Sequence, residues 1–320
     1  MTNADHLTAA TLLQRLLRDP TRAQRVTHVE HVASRVGRQT AWPSWVAPLL
    51  IDRLALVGVT APWEHQAAAA DLAWGGQGVV VATGTASGKS LAYLLPVLSI
   101  LLADDKATAL YLSPTKALAV DQLRAARGLN LAQVRAATYD GDTAPEERAW
   151  VRRFGSLVMT NPDMLHRSVL PRHSDFGRFL RGLRFVVVDE CHTYRGVFGS
   201  HVAQVLRRLR RICARYGADP VFILASATVS DPELSGSRLT GTHLVPITDD
   251  ASPRGTTEFA LWEPPLQVAF RGEHQAPVRR SATAESGDLL ADLVVEGART
   301  IAFGPPTRAD ERDGDRKSVV

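Results

Sequence analysis

From Gly78 onward, short apolar runs alternate with longer stretches whose apolar positions recur every three or four residues. The runs are Val79–Ala82, Ala109–Leu112, Val134–Thr138, Leu157–Thr160, Phe185–Val188 and Val221–Ala225. A strand covered on one face alternates apolar and polar residues; one covered on both faces does not. These nearly continuous runs therefore predict strands of a parallel sheet buried on both sides. Helical periodicity lies between several of them, near 90–103, 116–127, 144–153 and 200–216. Repeated strand–helix alternation predicts an open, mainly parallel α/β sheet. No solenoid-type repeat is present.

The flanks read differently. Residues 1–55 predict a helical accessory segment, with Leu12, Leu13, Leu16 and Leu17 at helical spacing and Pro20, Pro43 and Pro48 as punctuation. Residues 230–257 are rich in Ser, Thr, Gly, Asp and Pro and read as a linker. Residues 258–303 contain apolar pieces that do not complete a second sheet, which predicts poor order or aggregation there. Residues 304–320, opening Gly304-Pro305-Pro306, read as a disordered tail.

Composition narrows this only a little. The 320 residues are 45% hydrophobic and 22% charged, ordinary for a soluble globular chain. A net charge of +4 is compatible with a nucleic-acid partner without requiring one. Two cysteines, Cys191 and Cys213, cannot build a disulfide framework or a zinc cluster. No signal peptide is apparent at Met1–Asp5, and the longest apolar run, Leu91–Ala103, is too short to span a bilayer. The expectation is a cytoplasmic protein with no membrane partner.

Candidate chemistry sits at two strand ends. Gly84, Gly88, Lys89 and Ser90 follow the first strand and open a helix, the context of a phosphate loop. In Thr85-Ala86-Ser87-Gly88-Lys89-Ser90, Lys89 would reach the β- and γ-phosphates of ATP and the Ser90 hydroxyl would ligate Mg²⁺. Thr83 stands where a small residue is usual, and Ala86 replaces a glycine, which costs the loop backbone freedom. About a hundred positions later, Val186-Val187-Val188 delivers Asp189-Glu190 to a strand end. Asp189 would hold Mg²⁺ through its shell, and Glu190 would orient and activate the attacking water. Either motif alone has an ordinary structural reading, a Gly/Ser turn or two acids ending a strand. Together they point to ATP chemistry.

Further residues fall in an ordered series. Cys191-His192 follows the acids, and Ser226-Ala227-Thr228 ends the last strand. With the two motifs above, these resemble superfamily 2 helicases of the DExH kind, with a RecA-like P-loop NTPase fold. The resemblance implies that His192, Ser226 and Thr228 couple the nucleotide state to nucleic-acid grip. It implies that Gln66, in Trp63-Glu64-His65-Gln66, reads adenine. Ser113-Pro114-Thr115-Lys116-Ala117-Leu118 and Thr160-Asn161-Pro162-Asp163-Met164-Leu165 resemble the loops that hold the nucleic-acid backbone. Pro114, Thr115, Lys116, Thr160, Asn161 and Pro162 are the candidate contacts. Both loops follow strands on one sheet edge, where Lys116 and helix N-termini can meet phosphates without reading bases. The basic cluster Arg207, Arg208, Arg210, Arg211 and Arg215 shares a helix with an apolar face and reads first as a solvated helix side.

The segment Thr193–Val202, with Ser252-Pro253-Arg254-Gly255, Leu261-Trp262 and Arg299–Phe303, is similar to the MrfA (YprA)-type, RecQ-related DNA repair helicases. The similarity runs over about residues 27–303. It implies a DNA translocase of 3′-to-5′ polarity, associated with the nucleoid. It also implies the division of the chain: accessory segment 1–55, first RecA-like ATP-binding domain 56–248, linker and incomplete second RecA-like domain 249–303, and an aberrant tail 304–320. No Gln-x-x-Gly-Arg-x-Gly-Arg segment follows Phe303. The expectation is the ATP-binding half of a helicase, C-terminally truncated and not a competent motor alone. The competing readings are a non-catalytic nucleic-acid-binding fragment and another P-loop enzyme such as a nucleotide kinase.

Overall fold

The computed structural model describes residues 8–271 and 277–303. The chain divides into two compact units. One is Val36–Pro253; the other is built from both chain ends, Met1–Arg35 with Arg254–Val320. The chain opens in the terminal unit with α1 (Ala9–Leu16), α2 (Pro20–Ala23) and β1 (Val26–Val32). The Val36–Pro253 unit then runs α3 (Pro48–Leu56), α4 (Glu64–Trp74), β2 (Val79–Ala82), α5 (Lys89–Ala103), β3 (Thr108–Leu112) and α6 (Lys116–Gly128). It continues with β4 (Ala136–Thr138), α7 (Pro145–Phe154), β5 (Leu157–Thr160), α8 (Pro162–Met164), α9 (Gly177–Arg181) and β6 (Leu183–Val188). It closes with α10 (Gly196–Arg215), β7 (Val221–Ser226), α11 (Pro232–Thr240) and β8 (Val245–Ile247).

All strands of this unit join one parallel sheet of order β4-β5-β3-β6-β7-β2-β8. Each central strand feeds two cores, because successive side chains point to opposite faces. Val79, Val81, Ala109, Tyr111, Val187, Ile223 and Ala225 enter the core on one face. Val80, Leu110, Leu112, Val186, Val188, Phe222 and Leu224 enter the core on the other. This double burial is the physical reason the strands read as unbroken apolar runs. Burying each such Val or Leu contributes about 1.5–3 kcal/mol. From the neighbours β3 and β6 the chain runs on in opposite directions along the sheet, to β4 and to β7, and the carboxyl ends of strands at such a switch form the crevice where ligands bind in open α/β sheets.

Two stretches differ from the sequence reading. The expected linker at 230–257 carries α11 and the edge strand β8, which pairs with β2 through Val79↔Val245 and Val81↔Ile247. A three-residue strand with a central proline gives little periodic signal, and proline is tolerated there because the strand is an edge. Asp231 caps α11 by accepting from the Leu234 amide, with Pro232 at its first turn. In the expected helical segment 1–55, β1 is a strand, and α3 buries Leu50 and Leu54 in the core of the Val36–Pro253 unit.

In the terminal unit, β9 (Thr257–Trp262), β10 (Leu266–Arg271), β11 (Pro277–Arg279) and α12 (Ala282–Val295) follow. β9 pairs antiparallel with β1, so the apolar pieces after residue 257 find a partner from the other end of the chain. Glu285 is buried and accepts from Arg25 at 2.5 Å, Arg280 at 2.8 Å and the Trp262 indole at 2.8 Å. Much apolar surface stays open: Phe259, Leu261, Val295 and Ile301 are exposed. The tail expected to be disordered, 304–320, lies outside the described residues. Among the described residues, no helix is long and apolar enough to cross a membrane.

Candidate nucleotide and nucleic-acid site

The loop between β2 and α5 is held from inside. The Thr83 and Ser87 hydroxyls are 2.7 Å apart, and the Lys89 ammonium donates to the carbonyls of Gly84 at 2.8 Å and Thr83 at 3.3 Å. Gly88 is the N-cap of α5, with φ +76 and no side chain to cap the helix. The first-turn amides of α5 are therefore available to an anion. Ala86 also occupies the left-handed region, at φ +61, where a Cβ costs about 1–2 kcal/mol. The loop keeps a glycine-like conformation at the position where glycine is missing.

Gln66 is buried on α4 behind this loop. Its Nε2 donates to the Gly88 carbonyl at 2.8 Å and, more weakly, to Ser87 at 3.4 Å; its Oε1 accepts the Trp63 amide at 2.8 Å. A Cβ on Gly88 would stand 2.5 Å from Gln66 Nε2 and would displace that amide, and the positive φ favours glycine there as well. Gln66, Trp63, Gly88, Ser90 and Leu91 line a cavity of about 530 Å³ with apolar walls from Leu54, Val59 and Leu94.

Asp189 directly follows β6 and is almost fully buried. Its Oδ1 accepts the Glu190 amide at 2.9 Å, and its Oδ2 accepts the Tyr111 hydroxyl at 2.6 Å and the Tyr93 hydroxyl at 3.2 Å. Tyr93 lies one turn beyond Ser90 on α5 and so ties the helix after the phosphate loop to the acid. Glu190 turns the chain at φ +48, a strained conformation for a glutamate. Ser90 and Asp189 supply hard oxygen donors, and Mg²⁺ takes few protein ligands beside phosphates and water. The donor set therefore fits Mg²⁺.

His192 stands between two partners. Its Nδ1 lies 3.2 Å from Glu190 Oε2 and 3.2 Å from the amide nitrogen of Ala227. One ring nitrogen cannot donate to the carboxylate and accept from the amide at once. The protonation of Nδ1 thus selects between the acid pair and the end of β7. The Ser226 hydroxyl is buried without a hydrogen-bond partner, and Thr228 is exposed. The structure brings Glu190, His192 and Ala227 together and leaves the Ser226 and Thr228 hydroxyls outside that contact.

The two loops expected to hold a backbone lie side by side, because Leu112 and Thr160 are register partners at the ends of β3 and β5. Several of their polar groups serve the fold. Thr115 caps α6 by accepting from Leu118, Asn161 caps α8 by accepting from Met164, and the buried Thr160 hydroxyl donates to the Tyr139 carbonyl. Pro162 is buried at the start of α8, and Pro114 is half-buried. Thr115 and Lys116 are exposed. Lys116 Nζ sits 2.5 Å from Asp142, whose hydrogen bond holds the ammonium above the usual lysine range. In the arginine cluster, Arg207 donates to the Arg238 carbonyl and Arg210 to Gly241, capping the end of α11. That is a structural role for both.

The sequence reading missed Tyr93, Tyr111, Asp142 and the Ala227 amide. Two tyrosines inside otherwise apolar runs were a usable signal, since a buried phenol hydroxyl needs a partner.

Comparison with known proteins gives a consistent picture. The family model for DEAD/DEAH box helicase matches residues 63–235, more than half of the chain. The ATP-dependent helicase YprA of Bacillus subtilis (strain 168) is 39% identical over 297 residues, covering 91% of this chain and 39% of that protein. The ATP-dependent helicase HRQ1 of Saccharomyces cerevisiae is 41% identical over 249 residues, covering 75% of this chain and 23% of that protein. A crystal structure of the DUF1998 helicase MrfA bound to DNA and AMPPNP superposes with a TM-score of 0.85 at 38% identity, covering 92% of this chain and 41% of that one. The chain spans about two fifths of the length of YprA and MrfA and less of HRQ1.

Proposed function

The chain belongs to the DEAD/DEAH box helicase family, and on that premise we propose that it is the ATP-binding half of a DNA motor of the MrfA type. The proposed division keeps 56–248 as the first RecA-like domain and 249–303 as the linker and start of a second. The observation that carries the reading is the hydrogen bond from Tyr93 to Asp189, which joins the helix of the phosphate loop to the acid pair at one sheet edge.

In this reading the Lys89 ammonium leaves the Gly84 and Thr83 carbonyls for the β- and γ-phosphates of ATP. The bare amides opening α5 take further phosphate oxygens. Mg²⁺, when bound by Ser90 and Asp189, neutralises charge developing on those phosphates. Glu190 orients and deprotonates the attacking water. Gln66 sets the loop and borders the apolar cavity that takes the adenine. His192 relays nucleotide state to the end of β7 through Nδ1, with Ser226 and Thr228 beside it. Lys116 and Thr115, with the loop residues Pro114, Thr160, Asn161 and Pro162, form the face that meets DNA phosphates. By the resemblance to MrfA-type helicases, the proposed setting is the cytoplasm, at the nucleoid, in DNA repair with 3′-to-5′ translocation.

The chain by itself binds Mg-ATP and hydrolyses it poorly, because the described residues provide one face of the site. An arginine finger contributes about 10³–10⁵ in rate in related chemistry. Titrating the purified chain with a fluorescent mant-ATP analogue, with and without Mg²⁺, tests the binding claim. Saturable binding strengthened by Mg²⁺ is expected; none at millimolar nucleotide overturns the reading.

A further inference from the structure

Asp189 is held more closely than a strand-end carboxylate needs for its fold. An ionised carboxylate offers about four acceptor positions. On Oδ2, two are taken by the Tyr111 and Tyr93 hydroxyls; on Oδ1, one is taken by the Glu190 amide. The remaining position is on Oδ1. The tyrosines come from separate elements, β3 and α5, and their rings pack 5.9 Å apart. Each is only 2% exposed. Phenylalanine would fill nearly the same volumes, and the neighbours of both are Ala92, Leu94, Leu110 and Leu112. What the hydroxyls add to a phenylalanine is their bonds to Asp189.

We propose that Tyr93 and Tyr111 are positioning residues for Mg²⁺, clamping Oδ2 and reserving Oδ1 for the ion or its water. This rests on the Mg-ATP reading above. Without the clamp, the carboxylate turns about a broad two-fold torsion and neither oxygen is favoured. Tyr93 has a second effect. Standing one turn beyond Ser90, it fixes the distance between the two oxygen donors proposed for the ion.

The experiment follows mant-ATP fluorescence of the full chain while Mg²⁺ is titrated, for the unsubstituted protein, Tyr93→Phe, Tyr111→Phe and Asp189→Asn. Each tyrosine variant is expected to need about tenfold more Mg²⁺, with Tyr111→Phe the larger effect because its bond is shorter. Nucleotide affinity in EDTA stays unchanged, which a packing defect would not allow. Adding Tyr111→Phe to Asp189→Asn produces no further shift. An unchanged Mg²⁺ midpoint in both tyrosine variants overturns the inference alone, as does an equal loss of affinity with and without Mg²⁺. Binding of mant-ATP without any Mg²⁺ dependence in the unsubstituted chain overturns the metal reading itself, and this inference with it.

Discussion

The proposed nucleotide site and the loops proposed to meet DNA, all at the carboxyl ends of one parallel sheet, are built on different physics. At the first, polar groups are buried or half-buried and bound to one another: Gln66 to the phosphate loop, both tyrosines to Asp189, Lys89 to two carbonyls. At the second, loop hydroxyls and amides cap helices, and the charge offered outward is Lys116, paired with an exposed Asp142. Buried donors and acceptors fix geometry, because an unmade bond there is costly. Exposed ion pairs are weak and screened by salt. The comparison teaches that the site should be preorganised toward nucleotide and merely receptive toward DNA.

The strongest way to break this contrast is Lys89→Ala. It should weaken mant-ATP binding on the order of a hundredfold by removing hydrogen bonds to charged phosphates. DNA affinity, read by fluorescence anisotropy, should stay unchanged; a parallel loss would mean the two regions are not separate. The converse test is Asp142→Asn, which frees Lys116. Affinity for single-stranded DNA should rise about threefold, and the salt dependence should steepen by about one phosphate contact. No change in that slope would remove Lys116 from the DNA face.

Two smaller effects sharpen the picture. Ala86→Gly should stabilise the fold slightly, by about 0.5 kcal/mol, seen as a higher thermal midpoint, since relief of the left-handed alanine outweighs the entropy of a freer unfolded chain. A lower midpoint would show that the loop is not strained there. In the terminal unit, burial would raise the Glu285 carboxyl, but bonds from Trp262, Arg25 and Arg280 hold it below the usual range. A depressed carboxylate stabilises above its unfolded value and loses that contribution as pH falls through its folded value. Protection of the α12 amides, relative to their intrinsic exchange rates, should therefore fall below about pH 4, and Glu285→Gln should flatten that dependence.

What the sequence showed follows from burial and local chemistry. All six expected strands form, since double-sided burial leaves a local apolar signature. Lys89, Asp189 and Glu190 were legible because strand, turn and acid lie in one short stretch each. The β1–β9 pairing was not, since its partners lie more than two hundred residues apart and share no local pattern. β8 was hidden by its length and by Pro246. The Asp189 clamp draws on three elements, and the His192 contact uses a backbone amide that every residue except proline carries.

The most direct test of the central claim is DNA-stimulated ATP hydrolysis by the purified 320-residue chain, measured beside mant-ATP binding. The account predicts Mg²⁺-dependent binding with hydrolysis near background, whether or not DNA is present. Robust DNA-stimulated hydrolysis that Lys89→Ala abolishes would contradict it, because the described half-site would then suffice for the reaction.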